Sequence, residues 1–241
     1  MWPYKIQKVQ ELGDAQKKVR LERCKMLKGR CVGSWYERII FTDEKIFTVE
    51  QVINKQNDRL WAQARSSSNS SQFQVSRSQG AQSVMVWAGI TANGRTPLVF
   101  VEQGVKINAQ IYKETILEDC LKPWAQNHFG RRHWVLQQDS APAHKANLTQ
   151  NWLKDNIPEF ISASEWPPYS PDLNPMDFCI WGMLESKVCS TRHHSLDSLK
   201  RQLEQEWQKL PQHVLRTSVD AFKKRLDLIV RAKGGHIENY Q

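Results

Sequence analysis

Residues 35–49 read WYERIIFTDEKIFTV, and this stretch decides the fold of the chain. The apolar run 39–41 precedes the acidic pair Asp43–Glu44, and a second, largely apolar run follows at 46–49. Aromatic and β-branched residues at this density are typical of β-strands. The pattern predicts two strand segments that meet near the acidic pair, so that Asp43 comes at the end of the first.

Further strands and helices are predicted on both sides of this stretch. Strands are expected at 83–91 (SVMVWAGIT), 97–102, 133–138 and 160–164, and the first two are joined through Asn93-Gly94, a strong hairpin signal. Helical periodicity predicts helices at 14–28, 108–127, 145–156 and 176–189, then two amphipathic helices that begin near Leu196 and Leu215. This order of elements is typical of an α/β sheet packed by helices.

The composition excludes several classes of protein. Of the 241 residues 40% are hydrophobic and 10% aromatic, which indicates a folded chain. No apolar run approaches the length of a membrane span, and the mixed, charged start does not resemble a secretory signal. The five cysteines include no C-x-x-C pair, which argues against a disulfide framework or zinc module and favours a reducing intracellular compartment.

The net charge of +9 is unevenly distributed. Residues 1–38 contain ten Lys/Arg and four acids, residues 39–186 contain thirteen and fifteen, and residues 187–241 contain eleven and six. A slightly acidic middle is therefore flanked by two basic arms, which a polyanion such as DNA would explain. Solvated helix faces explain the same charges equally well.

Three acidic residues lie at the ends of predicted elements, where their side chains could form a catalytic site. Asp43 follows the first apolar run, Asp139 follows the strand 133–138, and Asp177 opens a helix after a proline-rich loop. Carboxylates that converge from separate elements repel one another unless a cation compensates, and Mg²⁺ prefers such oxygen ligands. Two such ions, about 3.5–4 Å apart, can stabilise an in-line phosphoryl displacement.

Each acid also has an ordinary structural interpretation. Asp177 can stabilise a helix dipole, Asp139 can initiate a turn, and Asp43 can be a strand-end acid with Glu44 as its solvated neighbour. Spacing alone does not decide between these interpretations and convergence on a metal.

Three motifs together resemble the catalytic blocks of mariner-type transposases. They are FTDEKIF at 41–47, QQDSAPAH at 137–144 and WPPYSPDLNPMD at 166–177, and the match extends over about residues 35–190. The resemblance implies a ribonuclease-H-like mixed sheet flanked by helices, with extra N- and C-terminal helices. It also implies that Asp43, Asp139 and Asp177 form a catalytic triad that binds two Mg²⁺ or Mn²⁺ ions.

The details refine the resemblance. Thirty-seven residues separate Asp139 from Asp177, which is similar to a mariner-related lineage with Asp in the third position. The helix-turn-helix modules that precede the catalytic domain in this family are not expected in this chain. We predict a basic helical linker region at 1–34, a catalytic core at 35–190 and C-terminal amphipathic helices at 191–241. The Ser/Gln-rich segment 62–82 matches a flexible clamp-type insertion, which is compatible with a homodimer.

Several neighbouring residues are assigned other roles. His144 is expected to be structural or hydrogen-bonding, Glu185 to be solvated, and the loop residues Tyr169, Ser170, Asp172 and Asn174 to brace their loop.

The resemblance therefore predicts a metal-dependent DNA endonuclease and strand transferase of the nucleus. Its partner would be DNA, with no membrane and no small-molecule cofactor. One alternative is a catalytically inactive DNA-binding remnant of a transposase. Another is a nuclease that acts on RNA–DNA hybrids, which the same fold permits.

Overall fold

The computed structural model describes residues 11–52, 80–101, 104 and 107–237. In these ranges one mixed sheet contains β1 (Ile39–Thr48), β2 (Ser83–Thr91), β3 (Gly94–Arg95), β4 (Val99–Val101) and β5 (Val135–Gln137). The strand order is β3-β2-β1-β5, and β4 also pairs with β2. β1 is antiparallel to β2 and parallel to β5.

The first strand differs from its prediction. β1 runs without a break through Asp43 and Glu44, so the two acids lie inside one strand and not at a junction of two segments. The reason is its partner, because β2 pairs with β1 from Phe41 to Thr48 and carries the hydrogen-bond ladder past the acids. Successive side chains of a strand point to opposite faces, so Asp43 and Glu44 face different sides of the sheet.

The helices follow the predicted order with shifted ends. They are α1 (Asp14–Arg30), α2 (Ala109–Ile111), α3 (Lys122–Phe129), α4 (Pro142–Lys145), α5 (Asn147–Asn156), α6 (Trp181–Val188), α7 (Leu196–Lys209) and α8 (Gln212–Arg231). π-Helical residues Tyr112–Leu121 join α2 to α3, and π-helical residues Met176–Ile180 lead into α6. A 3₁₀ turn, Trp35–Arg38, precedes β1.

Two local predictions can be compared with the structure in detail. The helix predicted from 108 begins there because the Asn108 side chain accepts a hydrogen bond from the Ile111 amide at 2.9 Å. The strand predicted at 160–164 is reduced to a single parallel bridge between Leu136 and Phe160. It ends because the Glu165 side chain accepts from the Ser162 amide at 2.9 Å and closes a turn.

Helices cover both faces of the sheet. On one face Ile40, Trp87 and Leu136 pack against the helical segment 109–129 and α5. On the other face, residues such as Phe41 and Val86 pack against α1, α6, α7 and α8. The buried core therefore includes residues from all three predicted parts of the chain, whose division at 34 and 190 stays a prediction.

Two further predictions concern the clamp segment and membrane spans. The proposed clamp, 62–82, lies outside the described residues up to position 79. Among the helices of the described ranges, none has the length and apolar character needed to cross a membrane.

Candidate active site

One cavity brings the three predicted acids together. Its volume is about 480 Å³, and Asp43, Asp139 and Asp177 all line it. The remaining wall is formed by residues after β5 and by the proline-rich loop, namely Ser140, Ala141, Lys145, Trp166, Pro167, Pro168, Tyr169, Ser170, Pro171 and Asn174. Carboxylates from three separate elements therefore face the same space.

The sheet register explains why two of the acids are neighbours. Phe41 of β1 pairs with Gln137 of β5 in parallel, and Asp43 and Asp139 each follow two residues later. Asn174 connects the third acid to this edge, because its Nδ2 donates to the Thr42 carbonyl at 3.1 Å. Its Oδ1 accepts from the Met176 amide at 3.1 Å, so Asn174 positions the π-helical turn that carries Asp177.

Asp43 is held by a tryptophan that the motifs did not single out. The indole Nε1 of Trp181 donates to Asp43 Oδ2 at 2.6 Å. Burial, which is the largest effect, and the nearby charges of Asp177 and Glu44 together raise the pKa of Asp43 to about 8, although the Trp181 hydrogen bond lowers it in part. The Asp43 carboxylate is therefore costly to ionise in this surrounding.

Asp139 is held by a buried histidine. His144 Nδ1 donates to Asp139 Oδ1 at 2.6 Å, and the Ala141 amide donates to the same oxygen at 2.9 Å. His144 Nε2 also lies 3.3 Å from Glu44 Oε1, as an ion pair without hydrogen-bond geometry. The hydrogen-bonding role expected for His144 is thus confirmed.

The pKa values of this pair follow from its contacts. Burial alone would lower the pKa of His144, but its contacts with Asp139 and Glu44 raise that pKa to about 10. Burial alone would raise the pKa of Asp139, but His144, the Ala141 amide and Lys145 bring it below its ordinary value. The result is an imidazolium between two carboxylates at neutral pH.

Glu44 is a second site residue, after Trp181, whose role the sequence interpretation missed. The ordinary structural interpretation of Asp43 made Glu44 its solvated neighbour, yet Glu44 is half-buried against His144 on the opposite face of the sheet. The alternation of side chains along one continuous strand would have shown this.

Asp177 is the most accessible of the three acids. Its side chain is exposed to the cavity, but the surrounding protein and the charge of Asp139 raise its pKa to about 6 despite the opposing charge of Lys45. Lys45 in turn pairs with Glu185 at 3.2 Å. Glu185, which was expected to be solvated, is partly exposed and forms this ion pair beside the cavity without lining it.

The donor set suits a hard divalent cation. Asp139 Oδ2 and both oxygens of Asp177 accept no hydrogen bond within the described ranges, and the mutual repulsion seen in the pKa of Asp43 and Asp177 is what a cation would relieve. No three His, Cys, Asp or Glu side chains of the described part of the chain are gathered closely enough to form a ready ligand set. Trp181 hydrogen-bonds to Asp43, and His144 hydrogen-bonds to Asp139. The metal-binding role of the three aspartates stays a prediction.

The raised pKa of Asp43 predicts an unusual effect of pH on stability. The pKa is about 8 in the folded chain and 3.8 as its ordinary value, so the folded state binds more protons than the unfolded state between these pH values. Stability in EDTA should therefore fall as the pH rises from about 4 to 8. Asp43→Asn should reduce this slope and give a higher thermal midpoint than the wild type at pH 8.

Thermal unfolding followed by circular dichroism at pH 5, 6.5 and 8 measures the effect. His144 is present in both proteins, so the difference between their curves reports the titration of Asp43 together with its electrostatic coupling to Asp177. Asp155→Asn is the matched control, because Asp155 is an exposed acid of α5. An Asp43→Asn curve parallel to that of the wild type would contradict the prediction.

Comparison with known proteins identifies the family. Residues 38–200, more than half of the chain, match the DDE superfamily endonuclease family. The Tcb1 transposase of Caenorhabditis briggsae is 33% identical over 155 residues, which cover 64% of this chain and 54% of that protein. The Tc3 transposase of Caenorhabditis elegans is 29% identical over 223 residues, or 92% of this chain and 63% of that protein. The chain thus spans about half the length of the Tcb1 relative.

Solved structures show the same fold. The catalytic domain of Mos1 mariner transposase superposes with a TM-score of 0.75 at 19% identity, covering 96% of this chain and all of that one. A mariner Mos1 paired-end complex with Mg gives a TM-score of 0.83 at 18% identity, covering 99% of this chain and 68% of that one. The ribonuclease-H-like fold and the resemblance to mariner-type catalytic domains are therefore confirmed, and the chain belongs to the DDE superfamily endonuclease family.

Proposed function

We propose that this chain is the catalytic domain of a transposase, which cleaves DNA and joins the freed end to target DNA with Mg²⁺ or Mn²⁺. The observation that carries the proposal is the single cavity lined by Asp43, Asp139 and Asp177. The named relatives support it, since they are transposases and since solved Mos1 structures include a complex with a left transposon end and catalytic domains with Mg or Mn.

The three aspartates would hold the cation or, as we propose, two cations. When bound, such ions supply a Lewis acid and a water of lowered pKa for attack on a phosphodiester. The residues that surround this site have separate roles in preparing it. His144 lowers the pKa of Asp139, Trp181 orients Asp43, and Asp177 presents its carboxylate to the open cavity.

A cleavage assay tests the proposal. Labelled duplex DNA is incubated with the protein and Mg²⁺, Mn²⁺ or EDTA, and products that carry a 3′-hydroxyl are expected with either ion and absent in EDTA. An RNA–DNA hybrid of the same sequence should be cut less than duplex DNA, and the reverse order would favour the hybrid nuclease. No product with either ion would contradict the proposal.

The inactive DNA-binding remnant remains the second candidate. It is favoured by the fact that the described acids lie around one cavity without forming a ready ligand set. In that case DNA binding would survive Asp→Asn changes at all three positions and would weaken steeply with salt. A metal-dependent product in the assay above excludes this candidate.

Lys145 provides a prediction about DNA binding itself. Its side chain is exposed, and it is a cationic residue in the wall of the cavity that the three aspartates line. If it contacts a backbone phosphate, Lys145→Ala should reduce the slope of log K against log salt by about one. Fluorescence anisotropy from 50 to 200 mM salt measures the slope, with Lys154→Ala on α5 as an exposed control. Equal slopes for Lys145→Ala and the wild type would exclude the contact.

We add two proposals about the chain, one on its oligomeric state and one on its location. We propose a homodimer, which sedimentation equilibrium would measure as twice the mass of 28.1 kDa. We also propose a nuclear location, which imaging of a tagged chain in a eukaryotic cell would test.

A further inference from the structure

Tyr169 has a backbone conformation that its side chain disfavours. Its φ is 52°, and only Lys233 shares a positive φ among the non-glycine residues of the described ranges. The left-handed region is crowded for a bulky side chain, whereas glycine and asparagine adopt it readily. Strain of this kind persists only where the surroundings hold it, and it concentrates at ligand-binding positions.

Buried polar contacts hold the strained residue in place. One guanidinium nitrogen of Arg20 donates to the Tyr169 carbonyl at 2.7 Å and to the Ser170 hydroxyl at 3.0 Å. The other nitrogen pairs with Asp172, and both Arg20 and Asp172 are buried. The Ser170 hydroxyl donates to the Pro168 carbonyl at 3.0 Å. The backbone at Tyr169 is therefore fixed by contacts that do not involve its ring.

The ring itself contributes little to the fold. Tyr169 remains 47% exposed, although it lies in the wall of the cavity that contains Asp139 and Asp177. No hydrogen bond of its hydroxyl and no ring–ring contact occurs within the described part of the chain. A partly exposed aromatic ring is thus held in the wall of the acidic cavity by a backbone conformation that disfavours its side chain.

We infer that Tyr169 is a stacking platform for an unstacked nucleobase next to the phosphodiester that enters the cavity. The inference rests on the proposed function, because it takes the ligand to be DNA. Stacking of a base on an aromatic side chain tolerates any sequence, since every base has a π-face. Lys145 lines the same cavity and would supply a cation for the adjoining phosphate. This role goes beyond bracing the loop, which was the role expected for Tyr169.

A set of three variants separates the ring from the strain. Tyr169→Phe keeps the ring and the strain, whereas Tyr169→Gly and Tyr169→Asn remove the ring and suit the left-handed backbone. The probe is a forked duplex whose single-stranded arm carries either thymines or abasic residues, with Ca²⁺ present to neutralise the carboxylates. Binding is followed by fluorescence anisotropy, and folding by thermal unfolding.

The expected results form a thermodynamic cycle. Tyr169→Gly and Tyr169→Asn should bind the thymine fork about tenfold more weakly than the wild type, bind the abasic fork equally well, and unfold at the same temperature or higher. Tyr169→Phe should match the wild type on both forks.

Three outcomes would overturn the inference. They are an equal loss for thymine and abasic forks, a loss in Tyr169→Phe as large as in Tyr169→Gly, and a marked fall in the unfolding temperature without the ring. Failure of the wild type to bind either fork would instead refute the proposed function together with this inference, so the two failures are distinguishable.

Discussion

Replacing Asp139 with asparagine is expected to reduce DNA cleavage by about a thousandfold or more. The substitution keeps the size of the side chain but removes the charge that would hold the proposed cation. Metal-assisted charge stabilisation contributes several kcal/mol to such reactions, and each 1.36 kcal/mol changes the rate about tenfold. Single-turnover cleavage of labelled duplex DNA in Mg²⁺ measures the loss.

The same substitution has a structural consequence that must be measured separately. His144 is buried and retains only Glu44 as an anionic contact when Asp139 becomes neutral, so Asp139→Asn should also lower the thermal midpoint. Asp155→Asn on the exposed side of α5 controls for the loss of a negative charge. If Asp139→Asn is folded and cuts DNA as fast as the Asp155→Asn control, the assigned chemistry is wrong.

Loss of the Arg20 guanidinium should cost about 3–5 kcal/mol of unfolding free energy. Arg20 of α1 is fully buried, and it pairs with Asp172 in the proline-rich loop. Truncation to alanine leaves the Asp172 carboxylate buried without its partner, which is the costly half of such a change. Because a typical domain has only about 5–15 kcal/mol of stability, Arg20→Ala should unfold at a much lower urea concentration.

Two further variants distinguish the broken ion pair from a general weakness of α1. Lys25→Ala, at an exposed position of the same helix, should leave the urea midpoint unchanged. The double substitution Arg20→Met with Asp172→Leu replaces both charges by apolar groups and should recover most of the loss. If Arg20→Ala unfolds at the wild-type midpoint, the buried pair does not hold the loop.

The secondary structure was largely predictable because its signals are local. Periodicity of apolar residues predicted α1, α5, α7 and α8 within a few residues, and the strand at Ser83–Thr91 was predicted with its bounds. One error occurred where tertiary pairing overrode local composition, and another where a local side-chain turn ended a strand. β1 continues through its acids because β2 pairs along it, and the strand at 160–164 shrinks to one bridge because a turn follows it.

The three aspartates of the candidate site could be predicted from the sequence, but the residues that hold them in place could not. Each aspartate belongs to a motif whose residues are adjacent in the sequence. Their partners come from elsewhere: Trp181 reaches Asp43 across 138 positions, and Arg20 reaches Asp172 across 152. No spacing rule links residues so far apart, since their contact depends on how helices pack against the sheet.

The sequence by itself determined the class of the fold, the order of its elements and the three acids of the family motif, because short-range pattern and motif carry that information. Only the tertiary structure decided that the acids share one cavity, that Glu44 and Asp139 hold one buried imidazolium, and that Tyr169 is held at φ 52° beside them. These features depend on burial and on charges brought together by folding. Burial and nearby charges change the ionisation free energy of a side chain, and neither can be inferred from the residues adjacent to it in the sequence.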